Sequence, residues 1–226
     1  MAQPFRLGFM PTRRRFFSRE DSLKFKSLIA QKIKTLAPEI EIYDLEHLND
    51  EGLLRDIDEA HQAARYFINK EVDAIFCPHC NFGTEDAVAL AAKAVNKPVL
   101  LWGPRDEAPS AGGERLRDSQ CGLFATSKVL QRFGVKFSYI TNSRLDDAVF
   151  ENGFVNFIRA ANAVKHFTNA RIGQVSTRPR DFYSVVVNEG ELTERFGTQI
   201  VPIDLSKIIR EVKAKLTSPD DRLREL

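Results

Sequence analysis

Two apolar runs, Ala74–Phe76 and Val99–Trp102, each stop abruptly at a polar, Gly/Pro-bearing loop, and a helical pattern follows each loop. This is the feature that most constrains the fold. A strand that ends in a loop and returns through a helix is the unit of a parallel sheet. The same unit recurs along the chain. Arg6–Pro11 reads as a buried first strand, and Ser18 with Asp21 reads as a capping box opening a helix to Leu36. Glu39–Leu45 alternates like a half-exposed strand, and Leu53–Asn69 reads as a helix. Asp73–Cys77 and Pro98–Gly103 are the third and fourth strands, with Thr84 as the cap of the helix between them. Pro104–Arg117 is a long loop. Asp118 or Ser119 then caps a helix to Phe133, Lys136–Thr141 is a fifth strand, and Asp147–Phe167 a long helix.

The expected fold class is α/β. It has a doubly wound, mostly parallel, Rossmann-like sheet in residues 1–169, followed by the beginning of a second α/β domain in residues 170–226. There Arg171–Ser176, Val185–Val187 and Ile200–Ile203 read as strands and Leu205–Leu216 as a helix. About 55 residues is small for an independent α/β domain, so this part reads as one the chain does not finish.

Composition narrows the function classes. A net charge of +2 gives no footprint for nucleic acid or an anionic membrane. No apolar run approaches the ~20 residues that span a bilayer, and the N-terminus lacks a secretory pattern. Three cysteines make no disulfide framework. The expected setting is therefore the reducing cytoplasm. Neither a Walker loop nor Gly-x-Gly-x-x-Gly is present.

Ligands of open α/β sheets bind beyond the strand C-termini, and the chemistry collects there. Cys77, His79, Cys80, Asn81, Phe82 and Glu85 follow the third strand. Trp102, Arg105, Asp106, Glu107, Arg115, Arg117 and Asp118 follow the fourth, and Arg13, Arg14 and Arg15 the first. Forked arginine donors suit an anionic or polyhydroxylated ligand, while a solvated basic loop is the plainer account. Trp102 fits either core packing or a sugar-stacking platform. Cys77-Pro78-His79-Cys80 resembles the active site of oxidising thioredoxin-fold proteins, but Asn81-Phe82-Gly83 separates it from its helix. With Cys121 the same residues have the ligand count for zinc, against the simpler account of two small thiols lining a loop. His47, His61 and His166 read as structural.

Four blocks carry a family resemblance: CNFGTEDAVALAAKAV, KPVLLWGPRDEAP, RLRDSQCGLFATSKVLQRFGV and RIGQVSTRPRDFYSVVVNEGELTERFG. Together they resemble the L-fucose/L-arabinose isomerase superfamily. The resemblance implies the N-terminal part of a metal-dependent aldose–ketose isomerase that works through an enediol. Mn2+ would be its Lewis acid, and carboxylates its acid and base. It also implies a homo-oligomer in which this domain closes over a neighbour's sugar site. The family's metal ligands match no position here, so this chain is expected not to isomerise alone. In fucose isomerases an arginine after the first strand reaches the sugar, and one of Arg13, Arg14 and Arg15 matches it. An aromatic before the Gly-Ser/Thr-Glu turn also contacts sugar. Aligning on Gly83-Thr84-Glu85 puts Cys80 there, so the stacking surface is absent or moved to Phe82 or Trp102. The resemblance therefore does not carry over fucose itself as substrate. The alternatives are a stand-alone sugar-binding or regulatory module, and a thiol-disulfide oxidoreductase using Cys77 and Cys80.

Overall fold

The computed structural model describes residues 4–109 and 111–217. It divides into two compact units, 1–162 and 163–226. The first unit holds five parallel strands: β1 (Arg6–Phe9), β2 (Glu41–Tyr43), β3 (Ala74–Pro78), β4 (Val99–Trp102) and β5 (Phe137–Tyr139). Their order is β2-β1-β3-β4-β5. The helices between them are α1 (Arg19–Leu36), α2 (Ile57–Asn69), α3 (Glu85–Val95) and α4 (Ser119–Arg132), and α5 (Ala148–Phe167) follows β5. This is the doubly wound α/β arrangement expected. The strand order reverses between β1 and β3, which makes their C-terminal ends the topological switch point, where such sheets open a crevice.

Period-2 alternation divides the core between the two faces of the sheet. Ile75, Cys77, Val99 and Leu101 pack with Ala60, Ala63, Ala64 and Phe67 of α2 and the alanine-rich face of α3. Ala74, Phe76, Leu100 and Trp102 pack with Ile29 and Ile33 of α1 and Phe150, Phe154 and Phe157 of α5. β3 and β4 are buried along their whole length. That is why they read as continuous apolar runs in the sequence.

The caps depart from expectation in an instructive way. Ser18 does accept the amide of Asp21, but the Asp21 carboxylate turns to Arg117 instead of closing a capping box. Thr84 makes no side-chain cap. Its hydroxyl donates to the carbonyls of Arg13 and Arg55. Asp118 holds the N-cap position of α4 without a cap bond. Asp106, 13 residues upstream of Ser119, accepts the Ser119 amide at 2.8 Å and that of Gln120 at 3.1 Å.

The second unit pairs β6 (Arg171–Val175) with β7 (Gln199–Ile203) in parallel. Between them lie a 3-10 turn over Tyr183–Val185 and helix α6 (Glu189–Phe196), and α7 (Leu205–Thr217) follows. Val185–Val187 is not a strand. Its valines are exposed, and β-propensity needs a paired, half-covered surface to act on. Helix α6 starts at Asn188, whose side chain accepts the Glu191 amide, and ends at Gly197 with a left-handed φ of 66°. Asn before the first turn and Gly after the last are a complete start–stop signal.

Candidate functional site at the β1/β3 switch point

The loops leaving β1 and β3 are bolted together by their own polar groups. Thr12 donates its amide to Pro78 O and receives the Cys80 amide on its carbonyl. Its hydroxyl donates to Leu54 O and accepts the Thr84 amide. Asn81 is buried and uses both ends of its amide. Oδ1 accepts from the Arg14 and Gly83 amides, and Nδ2 donates to Arg14 O and Ser22 Oγ. The loop after β1 is thereby fixed in place, and the three arginines separate.

Arg13 is buried. It grips Glu51 bidentately at 2.6 and 2.8 Å. Arg19 and Arg55 join the same carboxylate. Burial pulls the Glu51 carboxyl up, but the arginine hydrogen bonds and charges outweigh it and bring it down to about 2. Arg15 is exposed and pairs with Asp56 at 3.1 Å. Arg14 alone stands over the crevice. Its guanidinium carbon lies 4.3 Å from the Phe82 ring centroid, and Nη2 is 3.5 Å from Glu85 Oε1.

Phe82 in turn stacks on Phe17, with centroids 5.9 Å apart and planes inclined by 12°. Phe16 packs edge-on against Phe17 and is 90% exposed. Arg14, Phe82 and Glu85 thus form a half-exposed patch with an aromatic face, forked donors and a carboxylate. As plain surface packing, such a cation–π contact contributes about 0.5–1 kcal/mol. As a binding patch it offers apolar stacking and directional hydrogen bonds together. Phe16 and Phe17 were not singled out in the sequence, although they directly follow the arginine run.

Beneath Phe82 the packing is tight. An ideal Cβ on Gly122 of α4 would lie 1.7 Å from Phe82 O, so α4 approaches the loop backbone as only glycine permits. The same carbonyl meets His79 Nδ1 at 2.7 Å. Burial drives His79 down to about 4, against the effect of that hydrogen bond and helped by the nearby Arg14 charge.

The remaining expected site residues lie elsewhere. Cys80 and Asn81 are buried under the loop and offer nothing to a solvent-borne sugar. Trp102 is fully buried against Phe150, with ring centroids 4.3 Å apart, and donates Nε1–H to Ser143. It is core, not a stacking platform. Arg105 is exposed beyond β4, outside this patch.

The thiol reading fails on geometry. Cys77 faces the α2–α3 side of the sheet and Cys80 the α1–α5 side. Burial raises both thiols well above their ordinary value, the opposite of a nucleophilic thiolate. Among the described residues no three His, Cys, Asp or Glu side chains are grouped to hold a metal. Among the described residues neither zinc nor Mn2+ therefore has a fitting ligand set.

The sequence signature described as "Fucose/sulfoquinovose isomerase, N-terminal domain" matches residues 8–168. A sulfoquinovose isomerase from Alkalicoccus urumqiensis is 26% identical over 138 residues, which is 61% of this chain and 30% of that protein. The matched segment thus spans under a third of that relative. Among solved structures, an azoreductase from Bacillus anthracis str. Sterne aligns with 70% of this chain and 99% of its own, at 13% identity and a TM-score of 0.34. A second, azoreductase AzrA, gives 12% identity and 0.32 over the same shares. The signature covers most of the chain and coincides with the five-stranded unit, and by it the chain belongs to the fucose/sulfoquinovose isomerase N-terminal-domain family.

Proposed function

We propose that this chain is the N-terminal part of an aldose–ketose isomerase for a fucose-, arabinose- or sulfoquinovose-like sugar. In this reading the β1/β3 patch contacts the sugar. Arg14 donates to ring hydroxyls and Glu85 accepts from a hydroxyl, both held on the base that the stacked Phe82 and Phe17 rings supply. Residues 170–217 contribute a further α/β unit, and the metal and its ligands come from outside the described residues. Homo-oligomers would bring the patch to a neighbouring subunit's reaction centre.

The observation that carries the reading is the family match over a unit whose switch-point crevice presents Arg14 stacked on Phe82. Supplying positioning without chemistry is a coherent role, since holding a substrate in place lowers the barrier through orientation alone.

The test is calorimetric titration of the purified chain with L-fucose, L-arabinose and sulfoquinovose, with and without Mn2+. Metal-independent binding of one sugar, weakened about tenfold by Arg14→Gln, is expected from loss of one charge-assisted hydrogen bond. Turnover should be absent from the chain alone. Measurable turnover free of contaminating isomerase would refute the division of labour. Binding that ignores Arg14→Gln would refute the site. Sugar binding by a protein whose intact cellular form ends at residue 226 would instead favour the stand-alone binding module.

A further inference from the structure

Beyond the C-terminal ends of β4 and β5 lies a second cavity, of about 730 Å3, bounded by α1, the β4 loop and the β5 loop. That volume is in the range of small-molecule sites. Arg105, Arg117 and Arg144 line it, with Asp106, Glu107 and Asp146.

Arg117 is the telling residue. Its side chain is 2% exposed, so its charge is out of water and needs compensation. Asp21 supplies that, accepting from Nη1 at 2.6 Å. The guanidinium carbon also lies 4.2 Å from the Phe25 ring centroid. The pair is electrically complete at this point, yet Nη2 takes a second carboxylate. Glu107, whose side chain is 70% exposed, reaches in from the β4 loop to 2.8 Å. Nε is buried and has no acceptor among the described residues.

Arg105 and Arg144 are exposed, and neither guanidinium forms an ion pair among the described residues. Two of the surrounding acids are matched by helix N-termini. Asp106 accepts the first amides of α4, and Asp21 lies in the first turn of α1. Asp146 is the carboxylate left to oppose the arginines. A solvent-side carboxylate is thus drawn onto an already paired, buried arginine.

We propose that this cavity binds the oxyanion of a small molecule, a phosphate ester or a carboxylate. Arg117, Arg105 and Arg144 form its cationic wall, and Glu107 is the internal occupant that the ligand displaces. Forked guanidinium donors match both oxyanions bidentately. The site is separate from the β1/β3 patch and does not depend on its assignment.

The experiment is calorimetry on the full 226-residue chain at fixed ionic strength, with glucose 6-phosphate, gluconate and neutral glucose as probes. The tighter of the two charged probes identifies the head group. Glu107→Gln should tighten it about tenfold by removing the competitor. Arg105→Gln combined with Arg144→Gln should weaken it about tenfold or more. All three positions are exposed, so these variants keep the fold, which circular dichroism checks. Amide shifts on titration should gather at Ala108, Leu145 and Asp146. The proposal is overturned if glucose binds as well as the charged probes, if no charged probe binds wild type or Glu107→Gln at 10 mM, roughly the weakest affinity calorimetry resolves, if Glu107→Gln fails to tighten binding, or if the shifts gather at Arg14 and Phe82.

Discussion

β3 and β6 are both five-residue strands paired in parallel, yet every residue of β3 is buried and every residue of β6 is exposed. The difference lies in what surrounds them. β3 has a strand on each side and helices on both faces. Among the described residues β6 has one neighbour, β7. Parallel strands need both faces covered, and a two-stranded sheet is marginal by itself. In the second unit Ile172, Val175, Ile209, Val212 and Leu216 are exposed. On α7, Leu205, Ile209, Val212 and Leu216 follow helical spacing, an apolar stripe of the kind that faces a core. The lesson is that local βα pattern specifies elements, while the number of stacked units decides whether they acquire an interior.

Truncating apolar side chains in each unit gives the largest expected difference. Phe154→Ala empties a fully buried site among Phe76 and Phe150. It should cost about 3–5 kcal/mol in chemical denaturation. Val212→Ala removes a half-exposed side chain and should stay within about 0.5 kcal/mol. A comparable cost at both positions would show that α7 is covered in solution.

Acid should act on the first unit next. The Glu51 carboxyl sits at about 2 in the fold against an ordinary 4.5, and His79 at about 4 against 6.5. In both cases the folded value is the lower one. Each therefore contributes its full stability above its ordinary value and loses it as pH falls through the folded one. His79 acts between about 6.5 and 4, Glu51 between about 4.5 and 2, and each is worth roughly 3 kcal/mol at most. Glu51→Gln at pH 7 should cost about 3 kcal/mol, because it leaves buried Arg13 without its counter-charge. Stability curves against pH for wild type and His79→Gln check the sign. The variant should lose the slope between pH 6.5 and 4.

These groups mark where the sequence was legible and where it was not. The five strands and their helices were readable because β3 and β4 are uninterrupted apolar runs and α1 and α5 carry periodic apolar faces. The roles of Arg13, Arg14 and Arg15 were not. Three adjacent arginines look alike until Glu51, Phe82 and Asp56 arrive from elsewhere in the chain. Trp102 could stack on a ligand or fill the core, and only the arrival of Phe150 decides between them. Asp106 as the cap of α4 is likewise a loop-closure fact that no local spacing encodes. Helix α6, by contrast, is announced by Asn188 and Gly197, a signal that the strand reading of Val185–Val187 passes over.

A smaller effect tests how the candidate site depends on the packing beneath it. Gly122→Ala would place a methyl group against Phe82 O. Forced backbone movement of this kind costs about 1–3 kcal/mol. Since Arg14 rests on Phe82, the variant should also weaken sugar binding at the β1/β3 patch while the chain remains folded. Unchanged sugar affinity in a folded Gly122→Ala protein would separate that patch from the loop that shapes it.

The smallest effect probes the second unit by its own interior. Among its described residues Thr198 alone is buried. Its hydroxyl donates to Phe167 O at 2.6 Å, and its carbonyl accepts from Thr193 Oγ1 at 3.1 Å. Thr198→Ala removes the first of these bonds and leaves Phe167 O to the Ala170 amide alone. The cost should be about 1 kcal/mol, expressed as faster amide exchange in β7 and α6. Exchange in β3 and β4 should not change, because their protection comes from a core that Thr198 does not share. If β3 and β4 lost protection by the same amount, the two units would be unfolding as one. The contrast between β3 and β6 would then describe two surfaces of a single cooperative structure.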